Sequence, residues 1–214
     1  MTSSPSQELH RLFHPQSVAV VGASTKRGTT WDSGNAYING CIRQSFSGRL
    51  YPVHPMADSI LGYPCYGSIL DIPESVDLAI ICIRASAAKQ AIEECAQKGV
   101  RFVHMLTAGF GETGQATDAD VEEKIMAIAR KAGMRIVGPN CMGLYCPEGG
   151  LAWNGELPDR PGSVGLFSQS GQLANMIVRT SAQEDIYFSE VVSFGNASDL
   201  QAHEVLAYLA DDPT

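Results

Sequence analysis

Ser17-Val18-Ala19-Val20-Val21-Gly22-Ala23-Ser24 is the stretch that decides the fold. Apart from Ser17, its first five residues are all apolar and do not alternate with polar ones, a pattern typical of a strand buried on both faces of a sheet. Gly22 then turns the chain into a loop of small residues. The stretch therefore predicts a buried parallel strand that ends in a tight turn.

The same succession of strand, turn and helix recurs along the chain. We predict further strands at residues 49–53, 76–83, 101–106 and 135–137, and helices at about 32–44, 85–98 and 118–131. Gly99 and Gly133 stand where the last two helices end, as glycine commonly does. This alternation predicts an α/β fold with a Rossmann-like, doubly wound parallel sheet.

A change of composition divides the chain. Residues 147–162 are crowded with glycine and proline, which predicts a linker or an extended crossing segment between a domain at 1–146 and a second one at 163–214. The second part has strands at 163–167 and 188–193, and helices to about residue 183 and at 200–209. Because two strand–helix units cannot cover a sheet, we expect a domain cut short at Thr214.

Charge and hydropathy exclude several classes of function. The chain has 214 residues, with 15 Lys and Arg against 23 Asp and Glu, and a net charge of −8. Since no basic cluster offsets this charge, nucleic acid is not an expected partner. No apolar run approaches the roughly 20 residues of a membrane helix, and the polar N-terminus lacks a signal core. We therefore expect a cytoplasmic protein with no membrane partner.

The cysteines predict no metal site. Cys141 and Cys146 are five residues apart with no histidine beside them, which is not a zinc spacing. A nucleophilic Cys141 would need a histidine or another cation close by in space, and His104 is the candidate. A packing role, or a shelf for another thiol, is the favoured interpretation of Cys141.

Nicotinamide dinucleotide is a disfavoured ligand. Its fingerprint requires G-x-G-x-x-G followed by an acidic residue about 20 positions later. Here Gly22 is followed by Ala23-Ser24, and no Asp or Glu occurs between Asp32 and Asp58. A nicotinamide-dependent dehydrogenase is therefore the weakest of our hypotheses.

Gly138-Pro139-Asn140-Cys141-Met142-Gly143 follows a predicted strand and places an amide and a thiol at one rigid corner. Together with Tyr51-Pro52-Val53-His54-Pro55, Leu70-Asp71-Ile72-Pro73, Val76-Asp77-Leu78-Ala79-Ile80 and Ala108-Gly109-Phe110, it closely resembles the CoA-binding domain of succinyl-CoA synthetase and the NDP-forming acyl-CoA synthetases. The resemblance covers roughly residues 12–145.

That resemblance implies a site for CoA or acyl-CoA. The implied phosphate contacts are Gly22, Ala23, Ser24 and Lys26, and the implied contacts to the nucleotide moiety are Val53, His54 and Pro55. Ile83, Ala108, Gly109 and Phe110 would flank the pantetheine arm, with Asn140 and Cys141 near the thioester end. His54 and Met56 stand where family members often carry Asn and Lys; a missing ammonium weakens phosphate binding by about 1–3 kcal/mol.

The second part resembles the flavodoxin-like, succinyl-CoA-ligase-like domain of the same family. That resemblance implies phosphate contacts from Ser168, Gln169, Ser170, Gly171, Gly195 and Asn196, although a Ser at this place also serves as a plain helix N-cap.

The family reaction is acyl-CoA + NDP + phosphate ⇌ acid + CoA + NTP, through a phosphohistidine. None of the five histidines (His10, His14, His54, His104 and His203) lies in the phosphohistidine context. The resemblance thus places that residue beyond Thr214, with Mg-nucleotide on a separate nucleotide-grasp domain or subunit. These 214 residues would be inactive alone. The expected assembly is a homo- or hetero-oligomer. The acyl group and the choice between ADP and GDP stay open.

One alternative keeps the CoA site without catalysis. A regulatory CoA-binding module of this kind forms the synthetase-like part of protein lysine acetyltransferases. The two hypotheses differ in whether a histidine follows in a Gly-rich loop beyond Thr214.

Overall fold

The computed structural model describes residues 5–26 and 33–214. The strands are β1 (Ser17–Val21), β2 (Arg49–Val53), β3 (Ser59–Ile60), β4 (Tyr63–Pro64), β5 (Leu78–Ile81), β6 (Phe102–Met105), β7 (Arg135–Val137), β8 (Gly143–Tyr145), β9 (Val164–Ser168) and β10 (Phe188–Ser193). The helices are α1 (Pro5–Phe13), α2 (Gly34–Arg43), α3 (Ala85–Lys98), α4 (Ala116–Ala132), α5 (Gly171–Ser181) and α6 (Ala202–Asp211). Short 3₁₀ turns lie at Ile69–Asp71, Gly111–Thr113 and Ala182–Glu184. The predicted start of α2 near Asp32 lies outside the described residues.

The larger sheet has five parallel strands in the order β2-β1-β5-β6-β7. Successive side chains of each strand point to opposite faces. Val18 and Val20 of β1 pack in one core cluster with residues of α1 and α2, whereas Ala19 packs in a second cluster with residues of α3 and α4. Both faces of the sheet are therefore covered, which confirms the predicted doubly wound α/β fold.

Helix α1 is an element that the sequence analysis missed. Its residues Leu9 and Leu12, with Phe13, are at most 4% exposed, and the Phe13 ring stacks on Tyr208 of α6 at 5.0 Å between centroids. In the sequence analysis this segment is described only as a polar N-terminus without a signal core, and no helix is assigned to it. The i, i+3, i+4 spacing of its apolar residues is the signal that would have found the helix.

The middle of the segment 147–162 packs into the core, whereas residues 159–161 are exposed. Leu151, Ala152, Trp153 and Leu157 are at most 2% exposed and join the core cluster of α1 and α2. Just before it, β8 pairs antiparallel with β10, which in turn pairs parallel with β9. The second sheet thus takes a strand from inside the predicted first domain, and a domain boundary at 146 stays a prediction.

The turn after β10 lies along the edge of β7. Backbone N–H groups of Asn196, Ser198 and Leu200 donate to carbonyl oxygens of Pro139, Gly138 and Ile136, at 3.0, 3.2 and 3.1 Å. Arg135 adds ion pairs to Asp199 and Glu204. These contacts therefore hold the two sheets together at the corner formed by residues 138–143. Within the described residues, no helix is both long and apolar enough to cross a membrane.

Candidate functional site

The site lies at the carboxyl-end edge of the larger sheet. Because all five strands are parallel, the turns that follow them meet at one edge. The chain goes from β1 outward to β2, then back to β5 on the other side of β1, so the strand order reverses between β1 and β5. Crevices at such a reversal are where open α/β sheets bind ligands.

A pocket of about 420 Å³ opens at this edge. Four of its lining residues are predicted CoA contacts and one is a predicted phosphate contact: Ile83, Ala108, Asn140, Cys141 and Gly171. The structure therefore brings together the ends of three strands and the first residue of α5.

The sequence analysis missed the other half of the lining. Cys82, Leu106, Thr107, Met142 and Gln172 complete the pocket. Thr107 also fixes its shape, because its hydroxyl donates to the Ile83 carbonyl at 2.8 Å. A polar residue directly after a buried strand, as at Thr107, was the signal available for it.

The turn after β1 is hydrogen-bonded to α2 through the amide side chain of Asn35. The Ser24 N–H donates to Asn35 Oδ1, and Asn35 Nδ2 donates to the Ser24 carbonyl, both at 2.8 Å. Ala23 is buried and Gly22 packs against the backbone of Cys82. Lys26 is exposed, just before the undescribed residues 27–32. None of the four residues lines the pocket, and their phosphate contacts stay a prediction.

The end of β2 lies outside the pocket lining as well. Val53 is 5% exposed, bridges Tyr66, and its carbonyl accepts from the Gly22 N–H at 3.2 Å, so its contact to a nucleotide stays a prediction. His54 Nδ1 accepts from the Met56 N–H at 3.2 Å, and Pro55 is exposed. Met56, which replaces the usual lysine, is 88% exposed.

The turn after β6 is held by a carboxylate. Glu112 accepts from the N–H groups of Gly109 at 2.5 Å and Phe110 at 3.2 Å. Phe110 itself is fully buried in the core between the sheet, α3 and α4, so its side chain packs rather than flanking a ligand. Ala108 is exposed and is the residue of this turn that lines the pocket.

At the corner after β7, the amide and the thiol have different surroundings. Asn140 is exposed, with a left-handed backbone (φ of 56°). Cys141 is 4% exposed, and its Sγ lies 3.5 Å from the Met105 carbonyl oxygen. Burial raises the pKa of the Cys141 thiol, which disfavours a thiolate. His104 contacts the Cys141 carbonyl instead, at 3.2 Å. This geometry favours the packing role.

The turn before α5 is a capped helix start. Ser170 is the N-cap, since its Oγ accepts from the Leu173 N–H at 3.2 Å. The Ser168 hydroxyl donates to the Ser170 carbonyl at 3.0 Å, and Gln169 is exposed. Only Gly171 of the predicted phosphate contacts lines the pocket. The first N–H groups of α5 are the local source of positive potential there.

The turn after β10 connects to two carboxylates. Asn196 Nδ2 donates to Glu112 at 2.7 Å and to Glu122 at 3.2 Å. A Cβ on Gly195 would lie 2.2 Å from the Pro139 carbonyl oxygen, so only glycine fits. These contacts give Gly195 and Asn196 a linking role between the two sheets, and phosphate binding by them stays a prediction.

A second cavity adjoins the first. It measures about 650 Å³ and is lined by α2, residues 154–156 and α5, with Gln172 common to both cavities. Three asparagines line it: Asn39, Asn154 and Asn175. The Trp153 indole N–H donates to Asn175 Oδ1 at 3.0 Å, which joins the segment after β8 to α5.

Comparison with known families identifies the larger part of the chain. Residues 16–147 match the model of a CoA binding domain, and residues 161–214 match a succinyl-CoA ligase like flavodoxin domain. The chain belongs to the CoA binding domain family. The Rossmann-like CoA binding domain is thus followed by a flavodoxin-like one, which confirms the resemblance drawn from the turns.

Individual relatives of this CoA binding domain protein are named as acetate–CoA ligases. It is 38% identical to acetate–CoA ligase [ADP-forming] II of Archaeoglobus fulgidus, over 96% of this chain and 30% of that protein. It is 39% identical to the alpha subunit of acetate–CoA ligase [ADP-forming] I of Pyrococcus furiosus, over 95% of this chain and 44% of that subunit.

A solved structure agrees with them. The apo dinucleotide forming acetyl-coenzyme A synthetase 1 of Ca. Korarchaeum cryptofilum superposes with a TM-score of 0.88 at 34% identity, covering 96% of this chain and 44% of that one. The chain therefore spans less than half the length of each of these relatives.

Proposed function

We propose that this chain is the CoA-binding portion of an NDP-forming acyl-CoA synthetase, which interconverts acyl-CoA, NDP and phosphate with acid, CoA and NTP. One observation carries the proposal: Asn140 and Ala108 of the larger sheet line the same pocket as Gly171, the first residue of α5. A pantetheine arm in this pocket would bring its thiol to a helix N-terminus, where a phosphoryl group is stabilised.

The lining of the pocket fits a pantetheine arm, and the start of α3 beside it fits the phosphates of CoA. Ile83, Leu106 and Met142 supply apolar contact, while Asn140 offers a hydrogen-bonding amide. The N-terminus of α3 begins beside Gly109, and Arg84 directly before α3 is exposed. Among the described residues, Arg84 forms no ion pair, so its guanidinium is open to a phosphate. Arg84 thus supplies local positive charge in a chain whose net charge is −8.

Turnover would require more than these residues. No histidine of the described residues lines the 420 Å³ pocket, and the relatives are longer proteins or have separately named alpha subunits. We place the phosphohistidine outside this chain, and the Mg-nucleotide on a nucleotide-grasp domain or subunit.

Calorimetric titration with CoA tests the binding site. Ala108→Leu should fill the pocket and weaken CoA binding at least about tenfold, the equivalent of 1.4 kcal/mol. Ala116→Leu, at an exposed position in the first turn of α4, is the matched control and should leave the affinity unchanged. An unmodified chain that binds NADH but not CoA would contradict the proposal.

An activity measurement tests whether catalysis requires more than these 214 residues. The 214-residue chain should form no NTP from acyl-CoA, NDP and phosphate, whereas the full-length protein should. A full-length protein that binds CoA but forms no NTP would support the regulatory module instead.

A further inference from the structure

Three potential metal ligands meet at the junction between the two sheets. A ring nitrogen of His14, Sγ of Cys146 and a carboxylate oxygen of Glu190 all lie within 4.8 Å of one another. His14 follows α1, Cys146 follows β8 and Glu190 is in β10. Cysteine spacing alone predicts no metal site, because these three residues are distant in sequence.

Glu190 provides an independent indication of a missing partner. Glu190 is 3% exposed, and its Oε2 atom is buried with no hydrogen-bond partner. The other oxygen accepts from the Tyr208 hydroxyl at 3.5 Å. A buried carboxylate oxygen without a donor is costly, and a cation removes that cost.

The surroundings carry an excess of negative charge. Glu148 and Asp212 lie close enough to act electrostatically on all three residues of the cluster. In the part of the chain that the structure describes, no Lys or Arg pairs with Glu148, Glu190 or Asp212. The His14 ring stacks on the ring of His10, with 4.2 Å between the two centroids.

We propose that His14, Cys146 and Glu190 bind one divalent transition-metal ion, for which zinc fits best. Imidazole, thiolate and carboxylate are all zinc ligands, whereas Ca²⁺ and Mg²⁺ prefer oxygen alone. At zinc–ligand distances of about 2.0–2.3 Å, the three atoms would draw together around the ion. Binding releases the Cys146 thiol proton to the solvent.

The contacts of the sulfur support this role. The Gly149 N–H donates to Cys146 Sγ at 3.3 Å, the kind of outer hydrogen bond that orients a metal ligand. His14 is half-buried, whereas Cys146 and Glu190 are buried, so the cluster opens to solvent at the imidazole. The ion would pin the N-terminal helix to the second sheet, a structural role that does not depend on CoA.

The test uses the chain purified without a histidine tag, freed of metal and kept reduced. Added Co²⁺ should give a thiolate-to-cobalt charge-transfer band at one equivalent, displaced by Zn²⁺. Zinc at a hundredfold excess over its dissociation constant should raise the Tm by about 5–10 °C. Mg²⁺ should do neither.

Substitutions assign the ligands. Cys146→Ser should abolish the cobalt band, and Glu190→Gln should weaken zinc binding at least about tenfold. Cys65→Ser, at a partly exposed thiol elsewhere, is the matched control and should keep both signals. An unmodified chain with no cobalt band and no zinc-induced rise in Tm overturns the proposal, as does a band that survives Cys146→Ser. Should that variant fail to fold, unchanged zinc affinity in Glu190→Gln overturns it.

Discussion

The imidazole Nε2 of His104 lies 3.2 Å from the carbonyl oxygen of Cys141. Because a carbonyl only accepts, Nε2 must carry the proton and donate it. The Tyr37 hydroxyl donates to the next carbonyl, that of Met142. A buried side chain of β6 and one of α2 thus fix the backbone of the corner that lines the pocket. A Cβ on Gly143 would lie 2.3 Å from the His104 ring, which makes glycine necessary there.

This burial predicts a dependence of stability on pH. Burial lowers the pKa of His104 from 6.5 to about 4. Between these values the unfolded chain binds a proton that the folded chain does not, so the free energy of unfolding should fall as the pH drops, by up to about 3 kcal/mol. Urea unfolding across this range measures the slope.

His104→Gln should flatten that slope, since glutamine can donate to the carbonyl but does not titrate. Burial also lowers the pKa of His14, so this second histidine should keep contributing to the slope with the same sign. His203→Gln, at an exposed position, is the control and should keep the full slope. A slope unaltered by His104→Gln would exclude His104 as its source.

Two substitutions of Asn140 separate ligand binding from backbone strain. Asn140→Gly removes the amide but tolerates a φ of 56°, whereas Asn140→Ala adds a left-handed strain of about 1–2 kcal/mol. Both should weaken CoA binding about tenfold, and only alanine should lower the Tm. Calorimetry and thermal unfolding distinguish the two effects. Equal CoA affinity in the glycine variant and the unmodified chain would remove Asn140 from the site.

Gly195 is expected to be intolerant of any side chain. A Cβ there would lie 2.2 Å from the Pro139 carbonyl oxygen, whereas at Gly99 no described heavy atom lies within 4 Å. Gly195→Ala should therefore cost at least about 3 kcal/mol of unfolding free energy, against about 1–2 kcal/mol for Gly99→Ala. Chemical denaturation of both variants makes the comparison. Similar losses would mean that the corner and the turn after β10 are not in close contact.

Arg135 should contribute more to the free energy of unfolding than an exposed lysine does. It is 26% exposed, and its Nη2 donates to both Glu204 oxygens, at 2.9 and 3.1 Å. Arg135→Met should cost about 1–3 kcal/mol, whereas Lys89→Met, which breaks the exposed pair with Glu93, should cost about 0–0.5 kcal/mol. Urea unfolding at low and high salt measures both. Equal losses would indicate that the ion pairs beside β7 do not hold the sheets together.

Local pattern was enough for the elements of the larger sheet. The bounds of β1, β2, β7 and α3 are those expected from apolar runs and from Gly99. Their agreement has a physical reason, since burial on both faces removes polar residues from a strand wherever it stands in the chain. The family resemblance implied that Ile83, Ala108, Asn140 and Cys141 lie along one ligand, and they do line one pocket, because parallel strands end at one edge of the sheet.

Elements that depend on remote partners could not be predicted in this way. Helix α1 is stabilised by packing on α6, and β8 by pairing with β10. The carboxylates of Glu112 and Glu122 hold Asn196, although nothing in their local sequence indicates it. Such contacts leave no periodicity in the chain.

The sequence by itself determined the parallel sheet, the turns at its edge and the CoA binding family. Only the tertiary structure decided that Cys141 faces carbonyls, that residues 151–153 and Leu157 join the core, and that His14, Cys146 and Glu190 meet. The reason is that hydrophobic periodicity is a local property. The partner of a buried polar group is set by which distant segments the packed core brings within a few ångströms.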